Sequence, residues 1–229
     1  MQNHWHLREP DFFTGLAPEK AAFMSLAKKK DLPKNAMVFH ENDPGDSCFY
    51  LESGLIKIFR ITLDGKEPIF FLRRQGEFFG LAEVMEAKPR KANAQAITPA
   101  TLYEIGRNNF DDLLAGHYPL ARRVIEVLGR RLRYLGEQIE NLMVCDVRTR
   151  LARLLVYLCY DCLTEEDSRG GPVRLPVSLT QEQLAAMTGS TQQTVSEMLK
   201  NFQEEGLITV CHRRITILQP LALLHTAQQ

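Results

Sequence analysis

Gln192, Gln193, Ser196, Glu197 and Lys200 lie one or three residues apart, the spacing of a single helical face. Amide, hydroxyl and carboxylate groups match the donors and acceptors on base edges in a major groove, and an ammonium group suits a phosphate. Arg213 and Arg214 follow in a polar Cys-His-Arg-Arg stretch between two β-rich runs, Leu207–Val210 and Ile215–Leu218. Arginines at a hairpin tip suit backbone phosphates. The chemistry suggested is recognition of duplex DNA. A helical hairpin with a solvated face, and arginines that only aid solubility, is the plainer alternative.

The elements that must position these groups are legible around them. Thr180 is a candidate N-cap with Gln183 three residues on, as a capping box requires. Leu184, Ala185 and Met187 give the first helix an apolar face, and Gly189 falls where a tight interhelical turn needs left-handed φ. Ser190 or Thr191 can cap the second helix, whose Val195, Met198, Leu199 and Phe202 would face a core. Asp146 can cap a preceding helix from Val147 to Cys162, and Val173–Val177 reads as a short strand. The two β-rich runs form a hairpin wing beside the helix pair.

Residues 37–105 read as short strands with turn signals between them, including Asp64-Gly65, which suggests a small antiparallel barrel or roll able to enclose a ligand. Phe12, Phe13 and Leu16 anchor a loose arm before it. Pro18–Lys30 reads as a helix ending in three lysines. Within the roll, Gly76 to Gly80 is a glycine-bounded turn breaking into a short helix, whose N–H groups favour an anion, with Lys88, Arg90 and Lys91 adding positive charge. The same residues read equally well as an ordinary surface loop.

Ala121, Ile125, Leu128, Leu132, Leu135, Ile139 and Leu142 are spaced 4, 3, 4, 3, 4, 3. That is an a/d seam on a helix about 40 Å long, and a seam this narrow predicts a parallel homodimeric coiled coil. Residues 143–147 break it as a hinge.

At 229 residues with 45% hydrophobic content, the chain can build one large or two modest domains. Its 28 basic and 28 acidic residues cancel, which argues against strong non-specific DNA binding, although a local basic patch can act without a global excess. Five cysteines show no disulfide ladder; Cys159 and Cys162 sit in an apolar helical run and read as inert thiols, in a reducing cytoplasm. No leader-like segment or membrane span is expected. No nucleophile–base set or metal spacing suggests an enzyme.

On Gly54, Asp64-Gly65, Gly76-Glu77…Gly80, Asn141-Leu142 with Asp146 and Arg150, and the Leu179–Leu207 helix pair, the chain resembles the CRP/FNR family of transcription regulators over roughly residues 12–220. The resemblance implies an α+β chain: a β-roll sensor domain of the cyclic-nucleotide-binding type (1–116), a dimerisation helix and hinge (117–145), and a winged helix-turn-helix (146–229). It implies a homodimer on palindromic promoter DNA, joined through Ile125, Leu128, Leu132, Leu135, Ile139 and Leu142, with RNA polymerase as a further partner and a small-molecule effector. The DNA-facing set is then Thr180, Ser190, Gln192, Gln193, Thr194, Ser196, Glu197, Lys200, Arg213 and Arg214. The effector set is Gly76, Glu77, Phe79, Gly80, Leu81, Arg90, Lys91, Leu135 and Gly136.

The departures narrow the effector. Where the cyclic AMP receptor has Glu and Arg-Ser in its phosphate loop, this chain has Leu81 and Arg90-Lys91, and Leu135-Gly136 replaces a Thr-Ser pair, so cyclic AMP is not the expected ligand. No cysteine cluster for an iron–sulfur centre occurs in residues 1–47. The helix pair resembles haem-based carbon monoxide regulators, which share Gln-Thr-Val-Ser, yet their haem-ligating His has no counterpart between 71 and 116. Haem through His40, His117, His4 or His6, thiol-based redox sensing, and a regulatory module that does not bind DNA are the alternatives. Gln192-Gln193-Thr194-Val195-Ser196-Glu197 stands where the family commonly has Arg-Glu-Thr-Val-x-Arg, which predicts an operator unlike that of the cyclic AMP receptor.

Overall fold

The computed structural model describes residues 10–159, 171–212 and 214–226. They divide into two compact units, one up to Arg131 and one from Leu132. No described helix is long and apolar enough to cross a membrane.

The first unit is an antiparallel roll. Helix α1 (Ala17–Leu26) leads into β1 (Lys28–Leu32), β2 (Met37–Phe39), β3 (Ser47–Ser53), β4 (Ile56–Phe59), β5 (Ile69–Arg73), β6 (Phe78–Phe79), α2 (Leu81–Glu86), β7 (Asn93–Ala96), β8 (Ala100–Gly106) and α3 (Arg107–Gly116). One sheet runs β1-β8-β3-β6 and the other β2-β7-β4-β5. Between them, Phe49, Leu51, Ile56, Phe79, Ala94, Ala96 and Leu102 form an apolar core. A second core gathers the N-terminal anchor Phe12, Phe13 and Leu16 with Phe23, Tyr50, Phe78 and Phe110. Several of its rings meet edge-on, as in Phe12–Phe13 with centroids 5.1 Å apart, which suits the ring quadrupoles, while Phe78 stacks on Phe110. Asp11 ties the arm down by accepting a hydrogen bond from the Tyr50 hydroxyl at 2.6 Å.

Two features differ from expectation. Lys28–Lys30 do not end a helix; they form the edge strand β1, with Lys28 opposite Glu104 in the ladder with β8. Lys30 pairs with Glu104 at 2.6 Å. Backbone pairing with a distant strand outweighs local helical periodicity, and lysines suit an exposed sheet edge. Helix α3, not anticipated, is fixed by burial of Phe110 and Leu113.

Helix α4 (Tyr118–Val144) begins in this unit. Leu120, Val124 and Val127 join the second core and are at most 1% exposed. The seam residues point the other way: Ile125 is 70% exposed, and farther along the helix Leu132 is 71% and Leu142 60% exposed.

From Leu132 onward, the rest of α4 is followed by α5 (Val147–Cys159), β9 (Val173–Arg174), α6 (Gln181–Thr188), α7 (Gln192–Glu204), β10 (Ile208–Cys211), β11 (Arg214–Ile217) and α8 (Pro220–Thr226). Tyr134 of α4 stacks on Tyr157 of α5 with centroids 4.9 Å apart. Leu151, Leu155 and Leu158 of α5, Val195, Leu199 and Phe202 of α7, and Ile208 and Ile217 of the wing are buried. The three strands order β10-β11-β9. The strand expected over Val173–Val177 is confined to Val173–Arg174. The expected continuation of α5 to Cys162 lies outside the described residues.

Candidate nucleic-acid interface and effector loop

The helix pair is built by local rules. The Thr180 hydroxyl accepts from the Gln183 N–H at 3.1 Å, and the Gln183 amide oxygen accepts from the Thr180 N–H at 2.9 Å, a complete capping box. Gly189 ends α6 at φ 60°, and the N–H of Ser190 returns to the Ala185 carbonyl at 3.0 Å. Thr191, rather than Ser190, caps α7, accepting from the Thr194 N–H at 3.1 Å. Val195, Leu199 and Phe202 fix the rotation of α7, which leaves Gln192, Gln193, Ser196, Glu197 and Lys200 exposed on one face. Met198 is half-buried rather than core. Lys200 lies 3.6 Å from Glu204 in an exposed pair that a phosphate can replace.

Of the remaining DNA-facing candidates, Thr180 serves as the α6 cap, and the Thr194 hydroxyl lies 2.8 Å from that of Thr191. Arg214 is exposed on β11, and Arg213 lies outside the described residues. The register shortens the wing turn: Cys211 opposes Arg214. Arg174 of β9, opposite Thr216, joins Arg214 along a cleft that also includes Cys211 and His212. Sequence reasoning missed Arg174, because the β9–β11 pairing joins residues about forty positions apart and carries no local signal.

The support beneath the helix pair comes from the junction between α4 and α5. Asp146 caps α5, accepting from the Thr149 N–H at 2.7 Å, and this bond holds its carboxyl below the usual carboxylate range. Arg150 donates to the Thr188 carbonyl at 2.9 Å and to the Cys145 carbonyl at 2.7 Å. Leu142 lies 3.5 Å from where a Cβ on Gly189 would stand, so the end of α4 touches the interhelical turn. Arg148 pairs with Glu205 at 2.5 Å and covers the Phe202 ring.

In the roll, of the effector candidates Gly80 meets Arg90, whereas Gly76 packs against Asp11 and Phe79 and Leu81 are buried in separate cores. Arg90 is 1% exposed. Its Nη2 donates to the Ser47 carbonyl at 2.5 Å, and its Nη1 to the Gly80 carbonyl at 3.2 Å and to Glu83 at 3.4 Å. The guanidinium lies over the Phe39 ring, 4.3 Å from its centroid. Burial pulls its pKa down, opposed by the Glu83 carboxylate. Its Nε is buried without a protein partner, a spare donor that fits an anionic ligand. Gly80, at φ 74°, leaves the space Nη1 fills: a Cβ there would stand 2.8 Å from it. Glu77 pairs with Arg73 at 3.2 Å and Arg131 at 3.8 Å, and Arg131 also donates to the Phe78 carbonyl. Leu81 is buried in α2, so the position matched to the Glu of the cyclic AMP receptor is apolar. Lys91 is exposed. Leu135 and Gly136 belong to the other compact unit. The partners Glu83 and Ser47 were missed. Of the haem candidates, His40 is exposed, His117 is half-buried, and His4 and His6 lie outside the described residues.

Comparison with known proteins agrees with this division. Residues 29–117 match the cyclic nucleotide-binding domain, and residues 149–226 match the Crp-like helix-turn-helix domain. The CRP-like cAMP-activated global transcriptional regulator of Mycobacterium tuberculosis is 29% identical over 92% of this chain and 93% of its own length. The cyclic AMP receptor protein of Thermus thermophilus is 28% identical over 92% and 95%. Among solved structures, a CRP-family transcriptional regulator from Thermus thermophilus superposes with a TM-score of 0.71 at 26% identity, covering 87% of this chain and 97% of its own. A CooA mutant from Carboxydothermus hydrogenoformans shares the fold, with a TM-score of 0.79 at 23% identity over 97% and 99%. With the nucleotide-binding roll and the helix-turn-helix joined in one chain in the order and over the length seen in these regulators, the protein belongs to the CRP/FNR family of DNA-binding transcription regulators.

Proposed function

We propose that the protein is a homodimeric, signal-responsive regulator that binds palindromic promoter DNA. Its parts are a sensor roll (1–116), a pairing helix and hinge (117–145) and a winged helix-turn-helix (146–229). The observation that carries the dimer is the exposed stripe on α4: Ile125, Leu128, Leu132, Leu135, Ile139 and Leu142 are all exposed, while Leu120, Val124 and Val127 on the opposite side are buried. Six large apolar side chains in heptad register on one helix call for a matching helix, and a second copy supplies one. Two-fold pairing along this stripe gives two copies of α7, which suits an operator with two half-sites.

On the DNA, Gln192, Gln193, Ser196 and Glu197 read base edges, Lys200, Arg213 and Arg214 meet phosphates, and Thr180, Ser190 and Thr194 complete the contact set. In the roll, an anionic small molecule is recognised by Arg90, with Gly76, Glu77, Phe79, Gly80, Leu81 and Lys91 around it. The apolar Leu81 and the Glu83 carboxylate against Arg90 argue for an effector other than cyclic AMP. Its binding biases the two recognition helices between two dispositions, and RNA polymerase is the downstream partner. Selection of bound sites from random duplexes, combined with sedimentation of the complex, tests the reading. A two-fold symmetric site bound by two copies supports it; a single copy on an asymmetric site, or no selected site, overturns it.

A further inference from the structure

The outer face of the wing carries chemistry that DNA contact alone does not need. Antiparallel register puts Cys211 opposite Arg214 and Thr216 opposite Arg174, so these four share the solvent side of the sheet while Ile215 and Ile217 face the core. Together with His212 they line an open cleft of about 510 Å³. The Sγ of Cys211 lies 3.1 Å from Nδ1 of His212. His212 sits at φ 48° in the turn, next to the sulfur it contacts. A solvent-exposed thiol with an imidazole nitrogen beside it, on the sheet face that carries two arginines, meets the conditions of access for thiol–disulfide exchange. The other described cysteines do not: Cys48 and Cys159 are buried, and Cys145 is half-buried against Asn141.

We propose that Cys211 is a modification site for anionic low-molecular-weight disulfides, with glutathione disulfide as the probe, and that the adduct weakens DNA binding. The Cys211 thiol gives its proton to His212 Nδ1, and the sulfur attacks one sulfur of the disulfide. The S–S bond breaks, and its electron pair leaves with the second sulfur, which takes up a proton from the imidazolium. One mixed disulfide and one free thiol result, with no other oxidant consumed. Arg174 and Arg214 pair with the carboxylates of the incoming disulfide, and the cleft is large enough for a ligand of that size. The effect on DNA rests on the reading above: a carboxylate-bearing adduct neutralises arginines placed at the phosphate backbone, and the adduct's bulk stands in the way.

The test uses the full-length protein. It is treated with glutathione disulfide and, in parallel, with cystamine, a cationic disulfide. Adducts are located by peptide mass spectrometry, and DNA binding is titrated at several salt concentrations before treatment, after treatment and after reduction. The expected result is one glutathionyl group on Cys211, formed faster than the cystamine adduct. DNA affinity falls, its log–log salt slope becomes shallower by about one for each arginine neutralised, and both recover on reduction. Cys211→Ser takes no adduct at that position and its DNA binding ignores the disulfide, and Arg174→Gln reacts more slowly with glutathione disulfide. Faster labelling of Cys145, a preference for cystamine, or an adduct on Cys211 that leaves DNA binding unchanged overturns the proposal. Untreated protein that selects no DNA counts against the DNA reading, whereas adduct position and rate judge the cleft independently.

Discussion

Nε of Arg150, in the first turn of α5, donates to the carbonyl of Thr188, the last residue of α6, at 2.9 Å. The last carbonyls of a helix lack intrahelical partners, and a guanidinium satisfies one while favouring the negative end of the dipole. The same side chain reaches the Cys145 carbonyl, so one residue links the α4–α5 junction to the turn before α7.

Arg150→Met removes both bonds while keeping much of the aliphatic stem. Urea unfolding should show a loss of about 2 kcal/mol, the range for hydrogen bonds from a charged donor. Affinity for a selected operator should fall with it, because the turn before Gln192 loses its brace.

Gln192→Ala and Gln193→Ala act at the exposed face of α7 and leave stability nearly unchanged. Each should weaken operator binding by about 1–3 kcal/mol, the value of a bidentate base contact, with little change on unrelated DNA. Equal losses on both duplexes in a fluorescence titration would show that the amides do not read bases.

Leu132→Glu places a charge in the middle of the exposed stripe of α4. The variant should keep the fold of the single chain and sediment as one copy at concentrations where the unmodified chain is paired. Val124→Ala, on the buried side, should do the reverse: lower stability by about 1 kcal/mol or more with the oligomeric state unchanged.

Gly80→Ala forces a side chain into left-handed φ and toward the Arg90 guanidinium. The backbone alone costs about 1–2 kcal/mol. Thermal unfolding should shift down, and binding of an anionic effector should weaken more than stability does, because Arg90 must move.

Asp146 has its carboxyl held below the ordinary value by the Thr149 N–H. A folded-state pKa below the unfolded one, about 3.9, adds stability that is complete above the unfolded value and is lost as pH falls through the folded one. Asp146→Asn can still cap the helix without titrating. The gap between the two urea midpoints should therefore be widest near neutrality and close in acid; a gap independent of pH would contradict the assignment.

What the sequence discloses here is what short-range rules control. Thr180 and Gln183, three residues apart, state their capping box; Gly189 states its turn; and the heptad from Ala121 to Leu142 states its stripe, because each follows from spacing along the chain. Lys28–Lys30 misled because β1 is defined by β8, some seventy residues later. Arg174 was silent for the same reason, because it matters through a strand pairing across the wing; Glu83 was silent because no helix or strand period links it to Arg90, which the chain reaches only after turning back beyond α2. The function of the helix pair was therefore easier to read than the chemistry of the pocket.

Helix α4 works on both sides: Leu120 and Val124 complete the hydrophobic interior of their own chain, while Ile125 and Leu132 face outward. Each copy can thus finish folding alone, and under the proposed pairing two copies separate without melting. Differently labelled populations should then trade partners on mixing. A copy whose recognition helix is ruined would enter mixed pairs with sound ones and disable them, so such a defect would act dominantly over the intact form.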